Sequence, residues 1–469
     1  MHKFVKELDK IIEFNSDYIA YKFNEQSYTY GDIRKFALEL AEALKREGNT
    51  PVILYGHKSV RMIISILACL YARRAYIPVD VYMPADRIKR IIEQAGSTLV
   101  LNNSEMSLNG IDSVTLEELY RVSAETSKEH VENSNEIAYI IFTSGTTGEP
   151  KGVPISYDNL ENFVSWINAI IPNEEGTKWS VLNQASFSFD LSVADLYYSL
   201  SNGHTLIPLQ SEEMNNYSDM LSKLKTDKIN MIVATPTFLK LLLIAKEFES
   251  MQYPDLKIIY LCGELLEVNV AKKILERFPN LKLINAYGPT EATSAVSGIV
   301  INEKMFKEEY LPVGEISSAA TKITIENGEI VLSGKSVFSG YLNSENKINS
   351  YKTGDLGEIQ NGLLYCYGRK DNQIKYKGYR IELDDIEKNI RKLEQIQDVV
   401  VIAKFNDNTK VVKHLKAYVI LKESIEPFDI KEKLNEFLPQ YMIPSIIKIL
   451  NAFPINNNGK IDRKKLSEL

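Results

Sequence analysis

Between Ile33 and Leu44 the apolar residues Ile33, Phe36, Ala37, Leu40, Ala41 and Leu44 recur at three- and four-residue spacing, which predicts an amphipathic helix over 30–48 ending at Gly48. A short apolar strand follows at 51–55, then an apolar helix at 59–71, a strand at 75–79, a helix at 85–95 and a strand at 98–101. Strands that alternate with helices imply a largely parallel sheet with both faces covered. From about Leu311 the rhythm changes to short alternating strands joined by Asn327-Gly328 and Asn361-Gly362, dipeptides suited to two-residue hairpins. After Arg369 the pattern reads strand, helix (383–393), strands (399–405 and 415–421), helix (429–437) and tail. The fold class expected is α/β: a large N-terminal domain of covered, mostly parallel sheets plus a β-rich subdomain, followed by a small α+β C-terminal domain.

Composition narrows the functional classes. The 469 residues, 44% hydrophobic and 25% charged, are enough for two or three domains and exclude a disordered chain. The 55 Lys and Arg against 62 Asp and Glu leave a net charge of −7, so the basic surface needed by nucleic acid or anionic lipid is missing. Cys69, Cys262 and Cys366 fit neither a disulfide framework nor a zinc site, which points to the reducing cytoplasm. The run from Met62 to Ala72 falls short of the ~20 residues a bilayer needs, and charges break up the N-terminus before a signal-peptide core forms. Neither export nor a transmembrane segment is expected. The histidines at 2, 57, 130, 204 and 414 form no ligand spacing, and no GxSxG elbow is present.

Four segments carry chemistry. TSGTTGEPKG, from Thr143 to Gly152, follows an apolar strand and groups the hydroxyls of Thr143, Ser144, Thr146 and Thr147 with Gly145, Gly148 and Lys151. Such a loop can turn N–H groups, hydroxyls and one ammonium towards phosphate oxygens, although it lacks the GK[ST] order of a Walker loop. It also reads as a Gly/Thr-rich surface turn. In NAYGPTEAT, from Asn285 to Thr293, Tyr287 can stack on a purine, Thr290 can donate to phosphate and Glu291 can hold Mg²⁺ through oxygen; the alternative is a turn with a capping Thr and Glu. Asp355, in YKTGD, can accept both hydroxyls of a ribose, with Arg369 beside it, or both can be a solvated surface acid and base. Finally, NNNGKIDR places Lys460 after a glycine near the C-terminus, either as a mobile ammonium or as part of a frayed tail.

In this order, and together with YTYGDI at 28–33 and AYIPVD at 75–80, these segments resemble the adenylate-forming superfamily of acyl-CoA synthetases, luciferases and peptide-synthetase adenylation domains. The similarity is greatest to D-alanine:D-alanyl carrier protein ligases, through NQASFSFDLSVADLY at 183–197 and LCGELLEVNVAKKILERFPN at 261–280. The resemblance implies a core over 1–370, with the β-rich subdomain from about 311, and a mobile lid over 371–469 that carries the catalytic lysine and hinges at Asp371. It implies that Thr143 to Gly148, Lys151, Asn285, Ala286, Tyr287, Gly288, Asp355, Arg369 and Lys460 bind ATP. Lys460, Thr290 and Glu291 become catalytic, with Mg²⁺ on Glu291.

For the substrate, the resemblance implies Asp190, Leu191, Ala194, Cys262, Gly288 and Val296, with Asp190 pairing the α-ammonium of a small amino acid, D-alanine first. A carboxylate in a stretch walled by Phe187, Phe189 and Leu191 is costly to bury without a cation, which agrees. Cys262 also reads as a plain core thiol. Ala194 stands where a bulkier Met is expected, so the pocket is larger, and Arg73 and Arg74 stand where two glycines are expected.

The implied reaction joins the amino-acid carboxylate to the α-phosphate of ATP and expels pyrophosphate. No cysteine here is set up as a nucleophile, so the acceptor thiol is expected from the phosphopantetheine arm of a separate carrier protein, in trans. The competing readings are an adenylation enzyme for another amino acid, an acyl- or aryl-CoA ligase, and a non-catalytic nucleotide-binding protein.

Overall fold

The computed structural model describes residues 1–108, 110–125, 135–145, 149–173, 176–316, 320–371, 373–406, 411–455 and 461–468. Two sheets dominate its N-terminal part. One has six strands in the order 114–115, 99–102, 52–55, 76–79, 137–143, 151–156, parallel except at the last pair. The other has eight, in the order 297–300, 282–287, 258–261, 231–234, 180–183, 205–208, 19–23, 26–29, antiparallel only at its two ends.

One hydrophobic core contains residues of both sheets, among them Leu54, Tyr139, Val181 and Tyr260, together with the helices lodged between them. The helix Val60–Tyr71 buries every residue from Met62 to Tyr71, which is why its sequence is apolar all round and shows no polar face. The helix Tyr30–Arg46 opens on a capping box between Thr29 and Asp32 and buries Ile33, Ala37, Leu40, Ala41 and Leu44. Arg74 is fully buried and donates to the carbonyls of Leu44 (3.0 Å) and Thr50 (2.9 Å), tying the end of that helix to the next strand. Arg73 occupies a left-handed backbone position, φ 54°, that glycine fills without strain.

A five-stranded antiparallel sheet follows, in the order 314–315, 363–369, 350–360, 329–334, 321–326. Both expected hairpins turn where the sequence places them, with Asn327 and Gly328 at φ 51° and 80° and Asn361 and Gly362 at 52° and 80°. Two consecutive positive φ angles are the signature of the I′ turn that those dipeptides favour.

The C-terminal part is the expected small α+β unit. A two-stranded hairpin, Gln373–Tyr376 and Tyr379–Glu382, precedes a three-stranded sheet in the order 396–405, 412–421, 446–449. Alternation along the sheet gives it two faces. Val399, Val401 and Ala403 pack with the hairpin's Ile374 and Ile381, whereas Val400 and Ile402 pack with Leu466 of the tail. The hairpin and the described flanks of the tail therefore lie on opposite faces. Ile455 and Ile461 pair across residues 456–460, so Lys460 itself lies outside the described residues. The unit is seated on the core by a buried ion pair, Arg87 to Asp385 at 3.3 Å, and by Phe189 against Tyr379 at 5.5 Å between ring centroids.

Candidate active site

The site lies where the strand ends of both large sheets, the β-rich subdomain and the C-terminal hairpin meet. Thr143 closes the strand Ile137–Thr143 and is opposite Lys151 in the ladder, so the two ends of the threonine-rich loop are fixed by pairing. Thr146, Thr147 and Gly148 lie outside the described residues. At Gly145 a Cβ would come within 2.3 Å of the Glu149 carbonyl, so this close approach requires glycine. The Ser144 hydroxyl donates to the Arg380 carbonyl at 2.8 Å and accepts from the Glu382 N–H at 3.2 Å, which joins the loop to the hairpin. Lys151 places its ammonium 5.5 Å from the centroid of the Tyr341 ring.

The second segment forms the end of the strand Lys282–Tyr287 and a 3₁₀ turn, Thr290–Ala292, in place of a longer helix start. Asn285 donates to the Pro312 carbonyl at 2.8 Å and so anchors this strand to the β-rich subdomain. Gly288 has no room for a Cβ, which would meet the Ala295 Cα at 2.5 Å. The Thr290 hydroxyl donates to Asp190 at 2.6 Å. Glu291, 1% exposed, accepts from the Tyr341 hydroxyl at 2.7 Å on one oxygen and from Arg380 at 2.6 Å on the other. Burial pushes the Glu291 carboxyl up, but the Arg380 guanidinium and the Tyr341 hydroxyl outweigh it and hold the group below its ordinary value.

The residues expected at the nucleoside converge as well. Asp355 and Arg369 are directly opposite one another in the 350–360/363–369 ladder and pair at 2.8 Å. Tyr287 donates to the second oxygen of Asp355 at 2.7 Å, and Arg369 also grips Asp371 through two bonds of 2.7 Å. These groups line a cavity of about 430 Å³ to which Ala286, Lys375 and Phe405 contribute, so the C-terminal unit forms part of its wall. The Lys375 ammonium lies 5.6 Å from the centroid of the Tyr287 ring.

Asp190 ends the loop before the helix Ser192–Asn202 and is 9% exposed. Burial is the largest influence on it and raises its carboxyl to about 6, against the Thr290 hydrogen bond. Leu191, Ala194, Cys262 and Val296 are all buried in the main core, and the Val296 N–H donates to the Tyr287 carbonyl at 2.8 Å. Burial pushes the Cys262 thiol up to about 12, which leaves it protonated and a poor nucleophile.

Arg380, Tyr341 and Glu264 had no sequence signal as site residues. Glu264 accepts from the Gly378 N–H at 2.7 Å and so holds the hairpin tip. Arg380 is 89 residues from Glu291 in sequence, and only the lysine- and arginine-rich composition of its segment hints at a partner.

A cavity of about 430 Å³ beside Tyr287, Asp355 and Arg369, the two ends of a hydroxyl-rich segment and a buried acid stand around one turn, an arrangement that suits an adenylate-forming enzyme. The AMP-binding enzyme family matches residues 8–342 and its C-terminal domain matches 385–460, and the chain belongs to this family of AMP-forming ligases. A D-alanine–D-alanyl carrier protein ligase of Bacillus licheniformis is 38% identical over 502 aligned residues, covering 99% of each chain. One from Staphylococcus epidermidis is 34% identical over 100% of this chain and 99% of its own. Among solved structures, the Vibrio cholerae adenylation domain AlmE, in complex with glycyl-adenosine-5′-phosphate, superposes with a TM-score of 0.84 at 22% identity, covering 99% of this chain and 97% of its own. No helix among the described residues is long and apolar enough to cross a membrane.

Proposed function

We propose that this chain adenylates a small amino acid and passes the acyl group to the phosphopantetheine thiol of a separate carrier protein. D-alanine is the substrate that the relatives' names put first. The observation that carries the reading is Asp190: a buried acid whose one hydrogen bond among the described residues comes from Thr290, beside the nucleoside cavity and the turn that holds Glu291. A carboxylate in that setting is complementary to the α-ammonium of an amino acid and has no use in activating a plain fatty or aryl acid.

In the first step the substrate carboxylate oxygen attacks the α-phosphorus, the bond to the β-phosphate oxygen breaks, and pyrophosphate leaves. Asp355 takes the ribose hydroxyls, Arg369 fixes Asp355, and Ala286 and Tyr287 bound the base. Ser144, Thr143 and Lys151, with the rest of their loop, steer pyrophosphate, and Thr290 orients Asp190. Lys460 supplies the positive charge where the two anions meet. In the second step the carrier thiol attacks the acyl carbon, loses its proton and releases AMP. The seating of the hairpin, with Gly378 against Glu264, suits this second step, and the hinge at Asp371 swings the unit 371–469 so that the tail face replaces it. In this arrangement one Glu291 oxygen accepts from Tyr341 and the other from Arg380; with the hairpin's Arg380 swung away, Glu291 would hold Mg²⁺, which would neutralise the phosphates.

The test is ATP–pyrophosphate exchange with D- and L-amino acids and a set of aryl acids. Exchange that requires a free α-amine, and that collapses in Lys460→Ala, is expected. Wild-type exchange in Lys460→Ala, or exchange with aryl acids alone, defeats the proposal.

A further inference from the structure

The cavity beside Asp355 has a wall that the core does not supply. Ala286, Tyr287, Asp355 and Arg369 line it from the core, and Ile374, Lys375, Phe405, Val411 and Val412 line it from the C-terminal unit. Phe405 is the largest apolar side chain that the unit brings there, and it is 49% exposed. A single exposed phenyl ring needs no explanation on an open surface. This one shares a cavity with Leu265, Ala286 and Val313, and ligand sites bury their occupants against apolar linings of that kind.

The lining from the C-terminal unit comes from two places. Ile374 and Lys375 belong to the hairpin. Phe405 ends the strand Ile396–Phe405 and Val412 opens the strand Val412–Leu421, and the two are directly opposite one another in the last pair of that ladder. The ladder end lies on the hairpin face of the sheet, because Val412 packs against the cluster that contains Ile374 and Ile381, whereas Leu466 of the tail packs on the other face. A movement that exchanges the hairpin face for the tail face at the core therefore also withdraws the ladder end from the cavity.

We propose that this ladder end, Phe405 with Val412, is a cover that closes over the nucleoside when the hairpin is seated and retains the acyl-adenylate until the carrier thiol attacks it. The inference rests on the two-step reading above and gives the C-terminal unit a further task within it. With the cover closed, the intermediate stays in the cavity and water is kept from it. Without the cover the acyl-adenylate escapes and is lost: a water oxygen attacks the acyl carbon, the bond from that carbon to the phosphate oxygen breaks, and AMP, the free amino acid and a proton are released. Adenylate formation belongs to the other arrangement, from which the cover is withdrawn, so Phe405 bears on retention more than on the chemistry of the first step. It is a positioning residue in this scheme.

The test uses the full chain with ATP, Mg²⁺ and radiolabelled D-alanine, or whichever amino acid supports pyrophosphate exchange, in the absence of carrier protein. Enzyme-bound acyl-adenylate is isolated by rapid gel filtration and its loss is followed in time, with AMP release measured alongside. In Phe405→Ala the bound intermediate is expected to be lost at least tenfold faster than in the wild type, with carrier-independent AMP formation rising in step, and this loss of retention is expected to exceed any fall in exchange at least fivefold. Phe405→Leu is expected to recover most of the retention. A merely structural role would lower exchange and retention together, and thermal melting reports the fold of each variant. Val412→Ala, a milder change at the facing position, is expected to speed the loss several-fold and decides the matter if Phe405→Ala does not fold. Wild-type retention in the folded variants, or exchange that falls as far as retention does, overturns the proposal and leaves the adenylation reading standing. No exchange by the wild type with any amino acid defeats both.

Discussion

At the end of the site where we propose that the nucleotide binds, Asp355 takes one bond from Tyr287 and one from Arg369, and Arg369 in turn clasps Asp371. At the amino-acid end Asp190 is buried with one hydroxyl for company, and the Tyr139, Tyr260 and Ser294 hydroxyls have none. Protein interiors tolerate unmet polar groups poorly, so on the proposed function the first end would be preorganised for a ligand that is always the same and the second would be completed by its substrate.

Removing the unmet charge is the largest perturbation. Asp190→Asn is expected to lower kcat/KM for the amino acid about 10³-fold, the scale of about 3–5 kcal/mol for breaking a buried charge pair, as read by pyrophosphate exchange. The wild-type value should rise with pH through about 6, because only the ionised acid pairs with ammonium, and the variant should lose that rise. Stability runs the other way. From pH 4 to 6 the native chain keeps a proton that the unfolded chain has lost, so stability falls by about 3 kcal/mol as pH rises and is level above. Asp190→Asn abolishes this fall and is more stable than wild type at pH 7, measured by urea unfolding.

At the nucleotide end the corresponding deletion has the opposite effect on stability. Arg369→Ala leaves Asp355 buried with only Tyr287 and is expected to cost about 3 kcal/mol of stability, together with a higher KM for ATP. If Arg369→Ala were as stable as wild type, the claim that this end is preorganised would fail.

A smaller effect is expected at the hairpin tip. In Gly378→Ala the Cβ would meet the Thr235 methyl at 2.7 Å, at a φ of 84° that favours glycine. Such strain costs on the order of 1 kcal/mol, so transfer to the carrier thiol should slow several-fold more than pyrophosphate exchange does. Equal slowing of both half-reactions would show that the hairpin serves them alike.

The two ends also differ in what the sequence discloses. The Asn361-Gly362 turn fixes its ladder, and counting outward from it brings Asp355 to within one residue of Arg369; a bulge between Leu356 and Gly357 supplies the last step. Asp190 stands out as an acid among apolar neighbours. Tyr139 and Tyr260 do not, because an aromatic in an apolar strand is the ordinary content of a core, and only the assembled structure shows that their hydroxyls lack partners. Arg380 meets Glu291 by the seating of one unit on another, which no local pattern encodes. Arg74, unexplained in sequence, acts as a buried brace on a helix end.

The finest discrimination between the two ends uses one chemical change at both. Tyr287→Phe removes a hydroxyl that donates to Asp355, so it is expected to destabilise by about 1 kcal/mol and to raise the KM for ATP a few-fold. Tyr260→Phe and Tyr139→Phe remove hydroxyls that are buried without partners, and a desolvated group of that kind costs about 1–3 kcal/mol to keep. In the absence of substrate these two variants should therefore match or exceed the wild type in melting temperature, while the first falls below it. The same oxygen atom is thus worth stability at one end and costs it at the other. A drop in melting temperature for Tyr260→Phe equal to that of Tyr287→Phe would mean that its hydroxyl already has a partner, and the contrast between the two ends would disappear.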